Sequence, residues 1–335
     1  MRQNYLRGVP ISTIYMGGGT PSLLEPGEME AIVSTIRDHF ELSGQPEFTL
    51  EANPDDLTAE YLLGLKELGI NRLSIGIQTF NPAVLKWMNR AHTVEQALNS
   101  VELAKEAGFE NINLDLIYAV PLEDYDLRDD LTRILDLKPA HISAYNLTIE
   151  PSTVFGRRLR RGLMEEVSEE TAERSFQLVM DTLRNAGYHH YEISNFSLPG
   201  KESRHNLGYW NGLAYLGIGP SAHSFDGLTR QYNISNNIQY VKSIQGKFVP
   251  CTVEELSPEQ RINEMIMLNL RTSDGLSLHL QTDGLEWQLE ANHQNYLRDL
   301  TGNGFAVIKK NRLILTDKGK QIADRIAADL FIVKD

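Results

Sequence analysis

Five short β-branched runs, each separated from the next by a helical stretch, constrain this chain more than any other feature. The runs are Ser12–Met16, Glu47–Glu51, Arg72–Ile77, Ile112–Ile117 and His141–Tyr145. Between them, Thr58–Glu67 and Val94–Ala107 have helical patterns. In the second, Ala97, Val101, Ala104 and Ala107 recur on one face. Gly69 and Gly108 follow these helices where a glycine commonly ends one. Repeated strand–helix units imply an α/β fold: a parallel sheet with helices outside it, either open or closed into a barrel.

Beyond the fifth run, Ser168 is placed to cap a helix reaching Ala186, with Glu169 and Glu170 in its first turn. Phe176, Val179, Met180 and Leu183 form its apolar stripe, and Gly187 ends it. After Phe225 the chain turns polar through Asn233, Asn236, Asn237 and Gly246, which predicts a linker over 226–253. Residues 1–225 would then be one domain, with a β-rich extension at its end. Residues 254–335 would be a small winged-helix-like domain. There Ser257-Pro258-Glu259 opens a helix. Ala306–Ile308 and Leu313–Leu315 form a hairpin, and Asp317 caps a final helix carrying Ile322, Ile326 and Leu330.

Composition narrows the function. A length of 335 residues suits about two domains, and 41% hydrophobic with 8% aromatic residues supports a real core. The net charge of −13 repels phosphate backbones, so nucleic acid is a poor partner, for the winged-helix segment as well. No apolar run nears the roughly 20 residues of a membrane span, and Met1-Arg2-Gln3-Asn4 is too polar for a signal peptide. The expected location is cytoplasmic, with peripheral membrane contact left open. One cysteine, Cys251, can neither close an internal disulfide nor build a cysteine-rich zinc or iron–sulfur site. Its sequence neighbours include no cation, and it reads as an idle thiol.

Gly17-Gly18-Gly19-Thr20-Pro21-Ser22 follows the first strand directly. Glycines there let backbone approach a ligand and free N–H groups receive an anion, although the spacing is neither a Walker loop nor a dinucleotide fingerprint. Alone it could equally be a tight strand–helix turn. Glu51 and Gln78 end the second and third strands, and Asp115 lies in the fourth. Such positions form the ligand-binding rim of α/β barrels. Arg90, in the loop after the third strand, suits a bidentate carboxylate pair. Together these residues read as a site for a small polar ligand. A second constellation, His205-Asn206-Leu207-Gly208-Tyr209-Trp210, sets a histidine among aromatics, suited to haem iron or a planar macrocycle, although composition alone favours a hydrogen-bonded histidine in a turn.

Gly17–Pro21, Glu51-Ala52-Asn53-Pro54, Ser74–Gln78 and Asn113–Tyr118, in this order, resemble the radical S-adenosylmethionine enzymes. The branch is that of oxygen-independent coproporphyrinogen III oxidase and the haem chaperone HemW family. The resemblance spans essentially the whole chain, and the His205–Trp210 element matches the chaperones, whereas the oxidase lacks it. It implies a partial (β/α) barrel, S-adenosylmethionine and haem as ligands, and delivery of haem to a recipient haemoprotein. Backbone at Gly18 and Gly19, with Thr20, would hold the methionyl amino end. Arg90 would pair the carboxylate, and Glu51, Gln78 and Asp115 would bond the ribose or ammonium. His205 would be the haem contact.

The family's CxxxCxxC motif, which holds a [4Fe–4S] cluster after the first barrel strand, is absent here. The chain reads as lacking that strand and loop, with the cluster expected only in a longer form and no metal ligands in this one. The oxidase, which decarboxylates propionates, is the rival reading, and a cluster-free binding module is a third. Smaller departures are Ala119-Val120-Pro121, where the family has Gly-Leu-Pro, and Ser221, where it has glycine.

Overall fold

Period-two alternation along the parallel strands places the two faces of one sheet in different solvents. The computed structural model describes residues 1–333. By its contacts the chain forms two units, Ser12–Thr35 with Gln45–Ser203, and Met1–Ile11 with Ile36–Gly44 and the residues from Arg204 onward.

The first is built on strands β1 (Ile11–Met16), β2 (Leu42–Ala52), β3 (Arg72–Gln78), β4 (Asn111–Tyr118), β5 (His141–Asn146), β6 (His189–Glu192) and β7 (Asn195–Ser197). Their order is β1-β2-β3-β4-β5-β7-β6, so β1 and β6 are the edges. Strands β2 to β5 pair in parallel, and β7 returns antiparallel on β5 and β6. Helices α1 (Pro26–His39), α2 (Ala59–Glu67), α3 (Pro82–Trp87), α4 (Val94–Glu106), α5 (Leu127–Asp136), α6 (Val154–Arg160) and α7 (Glu169–Asn185) occupy the connections. This is the expected α/β fold, a curled half-barrel dominated by parallel strands.

Leu50, Leu73, Ile75, Ile77, Leu114, Leu116 and Ile142 are all fully buried, and with helix residues such as Leu62, Ala97, Val101, Leu131 and Val179 they make one core. Each large side chain buried this way contributes about 1.5–3 kcal/mol before entropy is counted. The alternate residues, Glu51, Ser74, Asn113, Asp115, His141 and Ser143, are polar, and register sets them side by side. Glu51 pairs with Ser74, Ser74 with Asn113, Asn113 with His141, and Asp115 with Ser143.

The caps are local. Thr58, Thr93, Asp126 and Ser168 accept backbone N–H bonds at the starts of α2, α4, α5 and α7, and Thr93 with Gln96 makes a capping box. Gly69, Gly108 and Gly187 end helices at φ 88°, 82° and 90°.

The other unit holds α8 (Arg204–Trp210) and an antiparallel sheet of β8 (His223–Phe225), β9 (Thr229–Asn233) and β10 (Cys251–Glu255), with α9 (Asn237–Gln245) between the last two strands. The stretch expected to be a linker is thus strand, helix and strand. Its asparagines are structural: Asn236 caps α9 through Gln239 N, and Asn233 Nδ2 donates to Gly219 O at 2.8 Å. Arg2 Nη2 donates to Cys251 Sγ at 2.9 Å, so the thiol has a cationic neighbour from 249 residues away.

The C-terminal segment carries α10 (Pro258–Leu270), β11 (Leu276–Ser277), the ribbon β12 (His279–Thr282) and β13 (Leu285–Gln288), α11 (Leu289–Gly302), the hairpin β14 (Ala306–Lys309) and β15 (Arg312–Leu315), α12 (Asp317–Lys320) and α13 (Ala323–Leu330). Ile262, Ile266, Leu297, Leu313, Ile326 and Leu330 are buried there. Two details differ from expectation. Thr316, not Asp317, is the cap, and the final helix is split into α12 and α13. A Cβ on Gly319 would lie 2.0 Å from the Phe305 carbonyl oxygen, so this turn must dock closely on the strand before it. No helix among the described residues is long and apolar enough to cross a membrane.

Both departures from the family pattern fall on left-handed backbone: Ala119 and Ser221 each have φ 60°. A non-glycine residue is strained there by about 1–2 kcal/mol. Ser221 is exposed, and its N–H bond to Ile234 O does not need the side chain. Ser221→Gly should therefore raise stability by about 0.5–1 kcal/mol net of unfolded-chain entropy. A thermal melt that falls instead would show that the hydroxyl, not the backbone, decides at this position.

Candidate functional site

The glycine loop closes over the end of β2. Tyr15 Oη donates to Glu51 Oε1 at 2.6 Å and Gly18 N to Glu51 Oε2 at 3.1 Å, which fixes the carboxylate. A Cβ at Gly17 would sit 2.6 Å from that carboxyl carbon, so a side chain there would displace the carboxylate from these donors. Burial, reinforced by Glu51, raises the Tyr15 pKa and keeps the phenol a donor. Ser22 then ties the loop to the turn after β2. Its hydroxyl donates to Asp56 Oδ2 at 2.6 Å and accepts from Asn53 N at 3.3 Å.

Arg90 is delivered by a helix end. After α3, Asn89 takes φ 55°, Asn89 N donates to Lys86 O and Arg90 N to Leu85 O, a Schellman motif with asparagine in the glycine place. Arg90 Nη2 donates to Asn53 Oδ1 at 2.8 Å, while Nε is buried without a partner. Burial lowers the Arg90 pKa, but a guanidinium stays charged. Gln78 ends β3 at φ 69°, a left-handed conformation costing of order 1–3 kcal/mol for a residue with a side chain. A Cβ at Gly76 would lie 2.8 Å from Gln78 Nε2 and 3.4 Å from Arg90 Nη2, so both side chains cross the gap that this glycine leaves.

Asp115 stands on a buried hydrogen-bond network. Asn113 Nδ2 donates to Asp115 Oδ1 at 2.8 Å and to Ser74 Oγ at 2.7 Å. Asn113 Oδ1 accepts from Ser143 Oγ at 3.0 Å and from His141 Nδ1 at 2.6 Å. His141 Nε2 in turn accepts from Tyr191 Oη at 2.8 Å. These partners fix the imidazole as the neutral Nδ1–H tautomer, and burial holds its pKa well below the usual value. Burial also raises Asp115 to about 6, with Glu51 adding to the rise and Asn113 opposing it.

These elements meet at one cavity of about 120 Å³, lined by Gly19, Thr20, Glu51, Gln78, Arg90 and Asp115 from the sequence-based set. Gly18 is not among the lining residues, and its N–H is on Glu51. Asn53, Ser74 and Gly76 also line it, and sequence reasoning missed them. Their signals were present, since Asn53 follows Glu51 by two residues and Ser74 and Gly76 precede Gln78 at period two. Tyr15, which orients Glu51, was likewise missed. Two carboxylates, one guanidinium with an unused N–H, and several amides and hydroxyls suit a small zwitterion bearing hydroxyls. S-adenosylmethionine has that chemistry. The single cysteine, Cys251, is on β10, and no group of His, Cys, Asp and Glu among the described residues could hold a metal.

His205 is on α8, in the other unit. Helical i,i+4 spacing sets its ring edge-on to Tyr209 at 4.7 Å, with Nε2 3.1 Å from the phenol oxygen, and Tyr209 is edge-on to Tyr215 at 4.7 Å. Histidine and two aromatic faces therefore form one cluster.

The Asp115 shift carries a pH dependence. A carboxyl raised from 3.8 to about 6 binds protons in the folded state that the unfolded state has released, so it lowers stability as pH rises from about 4 through 6. Asp115→Asn keeps the acceptor for Asn113 and removes the charge. It should be more stable than the parent by about 1–2 kcal/mol at pH 7 and no more stable at pH 4, as urea titrations at the two pH values would measure. An equal difference at both would remove the buried charge as the cause.

Residues 3–135 match the Radical SAM superfamily model, and residues 256–322 the HemN C-terminal domain. The heme chaperone HemW of Lactococcus lactis subsp. lactis (strain IL1403) is 37% identical over 317 residues, covering 94% of this chain and 83% of that protein. The heme chaperone HemW of Bacillus subtilis (strain 168) is 35% identical over 319 residues, 94% and 84% of the two chains. In fold, the chain is similar to the coproporphyrinogen III oxidase HemN of Escherichia coli, a radical SAM enzyme, with a TM-score of 0.81 at 22% identity over 98% of this chain and 80% of that one. Identity of this degree over nearly the whole length, joined to the fold and both family domains, shows that the chain belongs to the heme chaperone HemW family within the radical SAM superfamily.

Proposed function

We propose that this chain is a haem chaperone of the radical S-adenosylmethionine type, acting in the cytoplasm and passing haem to a recipient haemoprotein. The observation that carries the first half of this reading is the convergence of the glycine loop, Glu51, Gln78, Arg90 and Asp115 on one cavity. S-adenosylmethionine, when bound, brings a zwitterionic methionyl end, a sulfonium and a ribose diol. The buried unpartnered Nε–H of Arg90 would meet its carboxylate, leaving Nη2 on Asn53. Gly18 and Gly19 backbone with Thr20 would hold the amino end, and Glu51, Gln78 and Asp115 would take ammonium and ribose hydrogens. Haem binding is assigned to the His205–Tyr209–Tyr215 cluster, where an imidazole stands among flat faces.

The reading is tested by titrating the chain with haem and, separately, with S-adenosylmethionine. Haem should give a Soret band that His205→Ala shifts and weakens, with little change in melting temperature. S-adenosylmethionine should give calorimetric heat in the parent and in His205→Ala alike. A variant that binds haem as the parent does but melts earlier would make His205 a structural residue. Failure of the parent to bind either ligand would sink the assignment itself.

A further inference from the structure

Gln78 and Arg90 reach the cavity from two different segments, and one side chain that neither family domain nor cavity lining names joins them. The Ile77 carbonyl oxygen accepts from Thr79 N at 2.9 Å, which closes a three-residue turn around Gln78. With Gln78 at φ 69°, this is the rare, strained form of the γ-turn. The same carbonyl oxygen lies 3.1 Å from His92 Nε2. A carbonyl only accepts, so Nε2 carries the proton and the ring is the neutral Nε2–H tautomer; its Nδ1 is buried without a partner. His92 is 3% exposed and stands two residues beyond Arg90. Downstream of the turn, Thr79 Oγ1 donates to Asp130 Oδ2 at 2.7 Å and Phe80 N to Asp130 Oδ1 at 2.6 Å. The strained residue is therefore pinned on both sides, by Asp130 from α5 and by His92 from the Arg90 loop.

We propose that His92 is a positioning residue: its Nε2–H, bonded to the Ile77 carbonyl, locks the turn at Gln78 to the loop of Arg90 and so presents amide and guanidinium together to an α-amino carboxylate. The proposal rests on the reading that the cavity takes S-adenosylmethionine. The imidazole does not touch the ligand; it sets the spacing of two groups that do, above the gap left by Gly76. Asp130 anchors the far side of the turn; Arg90 Nη2 itself donates to the Gly76 carbonyl oxygen at 3.4 Å, two residues before Gln78, and His92 adds the 3.1 Å bond at the turn.

The test compares His92→Leu, which keeps apolar bulk without a donor, with His92→Gln, whose amide N–H has similar reach. S-adenosylmethionine is titrated against each full chain, and 5′-methylthioadenosine, which lacks the amino-acid carboxylate, serves as the control ligand. Hydrogen exchange at the end of β3 reads the turn without any ligand. His92→Leu should bind S-adenosylmethionine about tenfold more weakly, change methylthioadenosine affinity less than about threefold, and exchange the Thr79 amide at least about tenfold faster. His92→Gln should stay within about threefold of the parent in all three. The proposal is overturned if His92→Leu retains parental S-adenosylmethionine affinity, if it loses both ligands equally, or if His92→Gln fails as His92→Leu does. Should His92→Leu not fold, His92→Gln alone decides, through parental exchange at Thr79 and parental affinity. A parent that ignores S-adenosylmethionine but whose Thr79 amide is released in His92→Leu refutes the ligand reading and upholds the lock. Unchanged exchange refutes the lock.

Discussion

The half-barrel interior depends on a single amide. Asn113 has two N–H donors and two acceptor lone pairs, and the structure uses all four, on Ser74, Asp115, His141 and Ser143. Those partners lie on β3, β4 and β5, so the amide ties three adjacent parallel strands in one register. A slip by one residue would turn the polar set outward against the helices and the leucines inward. It would also strand a buried amide with up to four bonds unmade, each costing about 1–3 kcal/mol. The apolar face stabilises many sheets equally well; the polar face selects this one.

The same network prepares the chemistry. Because His141 is held neutral between Asn113 and Tyr191, it adds no positive charge beneath Asp115, and the carboxyl keeps its raised pKa. Glu51 is held differently, by a phenol and a backbone N–H that donate to its two oxygens. Two acids in one cavity thus have separate supports, one passing into the barrel interior and the other into the glycine loop.

Most of the first unit was legible in sequence because its parallel strands read as short β-branched runs and their helices as amphipathic periods. The cap at Ser168 follows from local chemistry, and the structure bears the fold class out. The glycine loop, Glu51, Gln78, Arg90 and Asp115 were legible for another reason: they follow one another in the order of the strands, at or near strand ends or in the loop beyond, and the structure brings most of them to one cavity. What failed was non-local. The asparagines after Phe225 have the composition of a linker, and only a sheet partner such as β10 makes Asn233 a ladder residue. Cys251 gains Arg2 across 249 residues. Asn53, Ser74 and Tyr15 are ordinary in type and acquire meaning from what they face. His92 escaped because its bond runs to a backbone carbonyl, and such bonds leave no trace in residue type.

Preorganisation explains why so many groups in the cavity are already engaged. Glu51, Asn53 and Asp115 each hold a protein partner without any ligand, and Gln78 is fixed through its backbone. Ordering these side chains during binding would otherwise cost about 0.5–1.5 kcal/mol apiece. The strain at Gln78 works in the same direction, since it is met once, on folding, by the burial of Ile77 and the bonds to the turn, and not again on binding. A ligand entering such a site has little to rearrange. It needs chiefly to supply what folding left unmade, and the buried Nε–H of Arg90 is such a bond. An anionic oxygen near that atom satisfies it at once, while a ligand without one leaves a buried donor unpaired. On this account the cavity discriminates by carboxylate first and by hydroxyl pattern second.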